Sequence, residues 1–335
     1  MSERLAPSLK RGDKIGFFSP SSAATAFAPK RFKRATEFIQ DKGFTLISGN
    51  LTGKQDFYRS GSIKARADEL NQLIQNPEIR CIIATIGGYN SNALLPYLDY
   101  ETLIRDPKII MGYSDVTALL LGIYAKTGLI TFYGPALVAS FGEFPPLVDQ
   151  TYASFHDILC QNNKPTHTYK MPAQWTDTML DWETQTQTKS LNTNVWQFLG
   201  KGKHEGRLIG GNLNTLAGIW GSPYMPEILE GDILLLEDAL LTCGPVERSF
   251  NLLKLNGIFD KVSAIILGKH ELFNDQGSGR QPLDILLEVL DDKVVPILNG
   301  FDSCHTHPML ITPIGSNIEI DFDQEIIRLT SPWTT

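Results

Sequence analysis

Residues 109–128 read IIMGYSDVTALLLGIYAKTG, and this stretch decides how the fold is interpreted. Its apolar start is typical of a buried strand, its polar middle from Gly112 to Asp115 indicates a sharp turn, and a helix is predicted from Val116 to Lys126. Strand and helix patterns alternate in the same way through the first half of the chain. Such alternation predicts an α/β protein with a parallel sheet covered by helices on both faces.

Composition and pattern predict that the sequence has three parts. Between Lys170 and Lys203 the composition shifts to Thr, Gln and Asn, yet the segment carries Trp175, Trp182 and Trp196. We predict an N-terminal Rossmann-like or flavodoxin-like domain at 1–165, a linker and active-site lid at 166–204, and a C-terminal domain at 205–335. Because strands outnumber helices towards the C-terminus, that domain is predicted to be mixed α/β with a partly closed, barrel-like sheet. Alternatively, the tryptophans only anchor the segment to the core.

Composition limits the classes of function. A chain of 335 residues with 42% hydrophobic and 20% charged residues is typical of a globular protein of two domains. A formal charge of -7, without a Lys/Arg cluster, argues against a nucleic-acid polymer as partner, so a small substrate is expected. No signal peptide or membrane-spanning stretch is recognised, and the four cysteines lack CxxC spacing. We therefore expect a cytoplasmic protein with reduced thiols and no membrane partner.

Ser114 lies where the predicted strand turns into the helix, and that position suits a nucleophile. A helix N-terminus supplies free backbone N–H groups and a partial positive charge, which together stabilise an oxyanion. The sequence GYSDV shares the beginning of the GxSxG nucleophile elbow but lacks its second glycine. Ser114 and Asp115 could equally be N-cap residues of the helix.

A nucleophilic serine needs a base and an acid that orients the base. His305 and His307 lie in DSCHTHP after an apolar strand, and Glu237 ends the strand DILLLED, where a buried charge needs a partner. Glu237 could also be a surface charge at a strand end. The two histidines with Cys243 and Cys304 could instead bind a metal, but their spacing matches no zinc signature, so no metal is expected. Cys304 is a second candidate nucleophile.

Several longer segments resemble one enzyme family over nearly the whole chain. The segments IGGYNSNALLPYLDYETLIRDPKIIMGYSDVTAL, GGNLNTLAGIWGSPY, GDILLLEDAL and CHTHPM are similar to those of the LD-carboxypeptidase serine peptidases. FYGPALVASFGE, the tryptophan-bearing segment and ILGKHE are similar to the microcin C immunity branch of that family.

The resemblance implies a Ser-His-Glu triad and an oxyanion hole. The triad consists of Ser114 as nucleophile, Glu237 as orienting acid and His305 as general base. The family's histidine commonly follows glycine and here follows cysteine, which leaves His307 as an alternative, but the Thr-x-Pro-Met register favours His305. The implied oxyanion hole uses the backbone N–H groups of Gly88 and Asp115, and glycine permits the close approach that such a hole needs.

The resemblance also implies substrate-binding residues. Trp182 is similar to a tryptophan that stacks on the adenine of a peptide-nucleotide. Glu271 of GKHE is similar to the residue that meets the substrate's amino group, and Asn212 or Asn214 is implied to bind the substrate backbone. Each has an ordinary explanation in a turn, a cap or an anchored loop. Many relatives have arginine before the glycine pair, where this chain has Ile86, and this departure argues against recognition of a substrate carboxylate there.

These implications describe a serine carboxypeptidase-type hydrolase that needs no metal or organic cofactor. We expect it to cleave carboxamide or related bonds of peptidyl- or aminoacyl-nucleotides, and the family implies a homodimer. One alternative is an LD-carboxypeptidase that releases the terminal D-alanine of murein tetrapeptide. A second alternative is a non-catalytic ligand-binding protein on the same scaffold.

Overall fold

The computed structural model describes residues 3–161 and 165–335. Within these residues the strands form a six-stranded sheet, an eight-stranded sheet and a two-stranded ribbon. None of the described helices is both long enough and apolar enough to cross a bilayer. The strands in chain order are β1 (Lys14–Phe18), β2 (Thr45–Ser48), β3 (Ile79–Ala84), β4 (Ile109–Gly112), β5 (Thr131–Tyr133), β6 (His167–Thr168), β7 (Gln174–Trp175), β8 (Asn192–Thr193), β9 (Gln197–Leu199), β10 (Lys203–Asn212), β11 (Ile233–Glu237), β12 (Ala264–Gly268), β13 (Ile297–Phe301), β14 (Thr312–Ile314), β15 (Asn317–Asp321) and β16 (Ile326–Leu329). The helices are α1 (Ala24–Phe27), α2 (Pro29–Asp41), α3 (Ile63–Gln75), α4 (Tyr100–Arg105), α5 (Thr117–Thr127), α6 (Leu137–Phe141), α7 (Leu147–Leu159), α8 (Leu213–Ala217), α9 (Cys243–Leu255) and α10 (Pro282–Leu290), with short 3-10 helices at Ser91–Tyr97, Ser114–Val116 and Ile258–Asp260.

Five strands of the six-stranded sheet are parallel, in the spatial order β2, β1, β3, β4, β5. Strand β4 is buried along its whole length and β3 along nearly all of it, as their apolar sequences require in a sheet with both faces covered. Helix α5 follows β4 and ends where Gly128 adopts a left-handed conformation with a φ of 72°. The parallel-sheet N-terminal domain predicted from the alternating pattern is confirmed.

One strand of this sheet comes from the far end of the chain. Strand β14 pairs antiparallel with β5, so that Thr312 lies opposite Tyr133 and Ile314 lies opposite Thr131. It covers the edge that β5 would otherwise expose to other chains. The sequence patterns did not predict this pairing, because segments so distant along the chain leave no local signal of their contact.

The eight-stranded sheet has a parallel centre, β10 to β13, with antiparallel strands on both sides. It curls into a half-barrel, which confirms the predicted mixed domain with a partly closed sheet. Strand β11 is buried at every residue and ends at Glu237. The close approach of β10 to β11 requires Gly210, where the φ is 133° and a Cβ would lie 2.0 Å from the Leu235 carbonyl oxygen.

Residues 166–204, which we call the lid segment, pair with both edges of the half-barrel. Strand β6 joins β16 at one edge, β9 joins β13 at the other, and β7 and β8 form the ribbon between them. Thr176 exchanges two backbone hydrogen bonds, of 2.8 and 3.0 Å, with His307. The predicted domain boundary at residue 165 adjoins residues 162–164, which lie outside the described residues. The division at 165 and 204 therefore stays a prediction.

Candidate active site

A pocket of about 360 Å³ lies between the two sheets, beyond the carboxyl ends of β3, β4 and β11. Ligands of parallel sheets collect at this end of the strands. Eight of the nine predicted site residues line the pocket. Glu237 is the ninth, and it lies behind the His305 ring with a side chain that is fully buried. The lining predicted residues are Gly88, Ser114, Asp115, Trp182, Asn212, Asn214, Glu271 and His305.

Ser114 occupies a strained turn between β4 and the short 3-10 helix that precedes α5. Its φ is 62°, a left-handed conformation that a serine rarely adopts and that recurs at functional turns. The turn fits only because Gly87 lies against it. A Cβ on Gly87 would lie 2.8 Å from the Ser114 Cβ and 3.0 Å from its Oγ. Ser114 is not an N-cap residue, because Tyr113 occupies that position of the 3-10 helix and Val116 occupies it in α5.

His305 is bound to Glu237, and His307 is not. The His305 Nδ1 atom lies 2.6 Å from Glu237 Oε2, and the His305 backbone N–H donates to the same oxygen at 3.2 Å. The His305 side chain is 12% exposed, so its ring borders the pocket while its partner is buried. His307 also lines the pocket, but its contacts are with the lid segment. Of the two histidines, the structure brings His305 to the acid.

Burial and charge have opposite effects on the pKa values of Glu237 and His305. Burial alone would raise the pKa of the Glu237 carboxyl, but the charge and hydrogen bond of His305 hold that pKa below its ordinary value. Burial would lower the pKa of His305, yet the neighbouring carboxylates, Glu237 first, outweigh burial and raise that pKa to about 9. The pair therefore favours the imidazolium form that a general base produces when it accepts a proton.

Two further side chains complete the surroundings of Glu237. The Tyr133 hydroxyl donates to Glu237 Oε1 at 2.5 Å, and the Asn212 side-chain amide donates to the same oxygen at 3.1 Å. The Tyr133 oxygen also accepts the backbone N–H of Ser114 at 3.1 Å. Every oxygen of this buried carboxylate thus has hydrogen-bond donors, as a buried charge requires.

The turn that carries Gly88 is clamped to the turn that carries Ser114. The Asp115 carboxylate accepts the backbone N–H groups of Asn90 at 3.0 Å and Ser91 at 2.9 Å. The buried Arg66 guanidinium donates to the Asn90 side-chain oxygen at 2.6 Å. Burial raises the pKa of Asp115, and the Ser91 backbone N–H opposes that shift. The side chain of Asp115 is thus occupied in holding the neighbouring turn, and its carbonyl accepts from the Ser91 hydroxyl at 2.6 Å, which leaves its backbone N–H as the part available to a ligand.

Gly88 has a backbone conformation that favours glycine. Its φ is 147°, and a Cβ there would lie 2.3 Å from the Ser21 Oγ atom. Ser21 accepts the N–H of Tyr89 at 3.0 Å and so fixes the next peptide. Among the described residues, no protein acceptor lies within hydrogen-bond reach of the Gly88 N–H. That group is therefore free to bind an oxygen in the pocket.

The residues predicted to bind substrate differ in how free they are. Asn212 is buried, and its amide is already bonded to Glu237, to Asp238 and to the N-terminus of α8. Asn214 is exposed at the pocket, with its backbone N–H held by Asp238 at 2.9 Å. Burial raises the pKa of Glu271, and in the described chain no side chain donates a hydrogen bond to its carboxylate. Asn214 and Glu271 can therefore meet a ligand directly, whereas Asn212 mainly organises the acids.

The three tryptophans of the lid segment have different surroundings. Trp196 donates from Nε1 to Asp302 at 2.7 Å, and the Trp175 ring centroid lies 5.4 Å from the Lys269 Nζ atom. Both contacts anchor the lid segment to the half-barrel. Trp182 instead lines the pocket, with the Arg31 guanidinium 4.6 Å from its ring centroid. Trp182 is anchored as well, since its ring stacks on Phe27 with 6.1 Å between the centroids, and it is the one of the three that borders the pocket.

Sequence reasoning missed several residues of this site. Tyr133 lies on β5, a strand that the patterns did not reveal, and Gly87 was overlooked beside Gly88. Asp238 follows Glu237 directly, and burial, reinforced by the Glu237 charge, raises its pKa to about 6. Lys189 lies in the polar lid segment, where nothing in the sequence marks it as buried. The available signals were the GYSD and LLLED motifs. Each motif places a residue next to a predicted site residue, and that neighbour lies at the same pocket.

The other chemistries that the sequence left open find little support. Burial raises the pKa of the Cys304 thiol to about 12, which makes it a poor nucleophile. Within residues 3–161 and 165–335 no group of three His, Cys, Asp or Glu side chains is arranged to hold a metal ion. Burial lowers the pKa of His307 to about 3, so that imidazole is neutral.

Comparison with known families identifies the class of protein. Residues 15–134 match the LD-carboxypeptidase N-terminal domain, and residues 205–320 match the LD-carboxypeptidase C-terminal domain. The protein is a carboxypeptidase-type serine hydrolase. The chain belongs to the LD-carboxypeptidase family, peptidase family S66, as the resemblance of its motifs implied.

Individual relatives point to the microcin immunity branch. The microcin C7 self-immunity protein MccF of Escherichia coli is 59% identical over 331 residues, which cover 98% of this chain and 96% of MccF. A Vibrio cholerae serotype O1 protein that bears the name of a carboxypeptidase is 65% identical over 328 residues, 98% of each chain. The wild-type apo structure of MccF matches with a TM-score of 0.98 at 59% identity, over 99% of this chain and 100% of that one. MccF structures are also known in complex with aspartyl sulfamoyl adenosine and glutamyl sulfamoyl guanosine.

Proposed function

We propose that Ser114, His305 and Glu237 form the catalytic triad of an amide hydrolase. The observation that carries the proposal is the 2.6 Å contact between His305 Nδ1 and the buried Glu237 at the pocket that Ser114 lines. An acid on Nδ1 leaves Nε2 as the basic nitrogen and stabilises the imidazolium. A serine on a strained turn at a helix N-terminus has the remaining role of nucleophile.

The chemistry proceeds by acyl transfer. Ser114 Oγ attacks the substrate carbonyl while His305 takes its proton, and the carbonyl oxygen becomes an oxyanion bound by the N–H groups of Gly88 and Asp115. His305 then gives the proton to the leaving amine. Water, activated by the same imidazole, hydrolyses the acyl-enzyme and regenerates Ser114.

The substrate that we propose is a peptidyl- or aminoacyl-nucleotide whose parts are joined through a carboxamide or phosphoramidate-type linkage, and the bond that is cleaved is the one between the carbonyl carbon and the nitrogen. Trp182 presents a ring at the pocket that can stack on a base, and Glu271 presents a carboxylate that can meet an α-amino group. The aspartyl and glutamyl sulfamoyl nucleosides bound by MccF have both a base and an α-amino group. The similarity to MccF over almost the whole chain supports the same substrate class here.

A murein tetrapeptide is the second candidate substrate, because the family takes its name from LD-carboxypeptidase activity. Removal of a terminal D-alanine requires recognition of a free carboxylate next to the scissile bond. The pocket has the apolar side chain of Ile86 where many relatives have arginine. This difference favours the nucleotide substrate.

The test compares both substrates in one assay. Purified protein is incubated with aspartyl sulfamoyl adenosine or with murein tetrapeptide, and products are identified by mass spectrometry. Release of aspartate from the nucleoside, lost in Ser114→Ala, is the expected result. Cleavage of the tetrapeptide alone would overturn the substrate, and turnover that persists in Ser114→Ala would overturn the triad. Binding of the nucleoside with no turnover by the unaltered protein would support the non-catalytic alternative.

We also propose that the enzyme works in the cytoplasm as a homodimer, as the family resemblance implies. The four cysteines are free thiols, as expected in a reducing compartment. Light scattering coupled to gel filtration gives the test of assembly. A mass near 74 kDa, twice the 37.2 kDa of one chain, is expected, and a mass of one chain would overturn the dimer.

A further inference from the structure

Helix α3 carries two buried charges that have no role in the proposed chemistry. Arg66 and Glu69 lie three residues apart and are each 1% exposed. The Glu69 carboxylate accepts the backbone N–H groups of Ser19 at 3.0 Å and Leu51 at 2.7 Å. Burial raises the pKa of Glu69 and lowers the pKa of Arg66, so each charge is kept at a cost. The groups that these two side chains bind therefore indicate their role.

The Arg66 guanidinium connects three turns of the backbone. Its Nε atom donates to the Gly61 carbonyl at 3.0 Å, and its Nη1 atom donates to the Pro20 carbonyl at 2.5 Å. Nη1 also donates to the Asn90 carbonyl at 3.1 Å and to the Asn90 side-chain oxygen at 2.6 Å. Pro20 follows β1 and Asn90 follows β3, and these strands are neighbours in the six-stranded sheet. One planar cation thus fixes the turn after β1 relative to the turn that carries Gly88.

The turn after β1 binds the peptide group that carries the Gly88 N–H. The Ser22 backbone N–H donates to the Gly87 carbonyl at 3.1 Å. The Gly87 carbonyl and the Gly88 N–H belong to one planar trans peptide, in which they point in opposite directions. Because Ser22 binds the carbonyl, the N–H is directed away from the Ser22 backbone. The hydrogen bond of Ser22 therefore determines the direction in which the Gly88 N–H can bind an oxygen.

Ser21 fixes the peptide group on the other side of Gly88. Its hydroxyl accepts the backbone N–H groups of Tyr89 at 3.0 Å and Asn90 at 3.2 Å, and it donates to the Asn90 side-chain oxygen at 2.8 Å. That oxygen is the one that Arg66 binds. Ser21 is 1% exposed, and neither Ser21 nor Arg66 lines the pocket. Both side chains can therefore act on a ligand only through the backbone that they hold.

We propose that Arg66 and Ser21 are positioning residues of the oxyanion hole, which hold the Gly88 N–H in its binding direction before the substrate arrives. The inference rests on the proposed function and adds the residues that preorganise its oxyanion hole. A donor that is already aligned stabilises the charge of the transition state without further reorganisation. The Asp115 carboxylate binds the Asn90 N–H from the side of the nucleophile. The turn that carries Gly88 is thus held from both sides, so the two donors of the oxyanion hole keep a fixed spacing.

The test separates loss of alignment from loss of stability. Arg66→Met, Arg66→Lys and Ser21→Ala are compared with the unaltered protein on whichever of the two candidate substrates it cleaves. Arg66→Met and Ser21→Ala should each lower kcat about tenfold or more and change KM by less than about threefold, because an oxyanion hole binds the transition state more strongly than the substrate. Arg66→Lys keeps the charge and part of the hydrogen bonding, so it should recover part of the lost kcat. The pH at which kcat/KM rises should stay the same, since the pair of His305 and Glu237 is not altered.

Two buried residues away from the pocket provide matched controls. Lys108 is 0% exposed and donates to the carbonyls of Asn76 and Ile79, each at 2.9 Å, near the opposite end of β3. Ser316 is 1% exposed, and its hydroxyl shares a hydrogen bond with the Ser331 hydroxyl. Lys108→Met and Ser316→Ala should lower Tm and leave kcat unchanged.

The outcomes distinguish the possible failures. Ser21→Ala deletes a single hydroxyl, so it remains decisive if Arg66→Met does not fold. Full kcat in folded Ser21→Ala, or a raised KM without a lower kcat, would overturn the inference. A loss of kcat in the two controls as large as in the test variants would also overturn it, because lost stability would then explain the effect. Failure of the proposed function has a different signature, because the unaltered protein would then cleave neither substrate, and the inference would fail with it.

Discussion

The Tyr133 hydroxyl lies 2.5 Å from Glu237 Oε1 and joins the two halves of the candidate active site. Tyr133 belongs to the six-stranded sheet and Glu237 to the half-barrel. The same hydroxyl oxygen accepts the Ser114 backbone N–H at 3.1 Å. One side chain thus fixes the acid of the proposed triad relative to the turn that carries its nucleophile.

Replacement of Tyr133 by phenylalanine tests this connection. The change leaves Glu237 with one donor fewer and the Ser114 N–H without its acceptor. We expect the free energy of unfolding to fall by about 1–3 kcal/mol and kcat to fall about tenfold or more. Chemical denaturation and steady-state kinetics measure the two effects. Tyr169→Phe removes a buried hydroxyl that donates to the Ile311 carbonyl away from the pocket, so it should lower stability alone.

The pH dependence of the reaction should report the charge on His305. A general base must be neutral, and the pKa of His305 is raised to about 9, so kcat/KM should rise between pH 7 and pH 9 and level off above it. Glu237→Gln removes the main charge that raises this pKa and should move the rise to lower pH. It should also reduce kcat about 10³-fold to 10⁴-fold, as loss of the orienting acid does in serine hydrolases. An unchanged profile in Glu237→Gln would mean that another group titrates.

Gly87 should be necessary for turnover, because it lies against the turn that carries the proposed nucleophile. A Cβ at this position would lie 2.8 Å from the Ser114 Cβ and 3.1 Å from the Asp115 backbone nitrogen, where the oxyanion is proposed to bind. Gly87→Ala should therefore lower kcat about 10²-fold or more through loss of alignment. Gly244→Ala is the matched control, since a Cβ there meets no atom within 4 Å. Equal activity of the two variants would contradict the proposed crowding at the nucleophile.

Trp182 should contribute to affinity, and Trp196 should contribute to stability. Removal of a stacking platform costs about 1–3 kcal/mol per base, so Trp182→Ala should raise KM for nucleoside substrates about fivefold to 150-fold. Trp196→Phe keeps the ring but loses the hydrogen bond to Asp302, so it should lower Tm and leave KM unchanged. Kinetics and thermal unfolding of both variants check the assignment. A raised KM in Trp196→Phe alone would reverse it.

The sequence predicted those parts of the site that local patterns encode. The apolar run before Gly112 and the helix after it located Ser114, and the buried strand that ends in Glu237 located a carboxylate with need of a partner. The family resemblance favoured His305 over His307, but local patterns alone did not separate the two histidines, because the path of the loop decides which ring reaches Glu237. In the structure that ring belongs to His305.

Features that depend on contacts between distant parts of the chain could not be predicted from local sequence patterns. Lys189 lies in a segment of polar composition, and it is buried beside Glu143, which is distant along the chain. The role of the Asp115 side chain was also hidden. An aspartate at a predicted helix start is typical of a cap, and only the structure shows that its carboxylate holds the turn of Asn90 and Ser91.

The strand contributed by Thr312–Ile314 to the first sheet has a consequence for how this molecule can be divided. A fragment that ended before the half-barrel would leave the edge of β5 unpaired, and Tyr133 would also lose its hydrogen bond to Glu237. The chain returns from the half-barrel to the first sheet through β14, so the two halves are connected by more than one hinge. We expect neither half to be a self-sufficient folding unit, and a cut anywhere in the middle of the chain to yield two pieces that recover activity only when they reassemble.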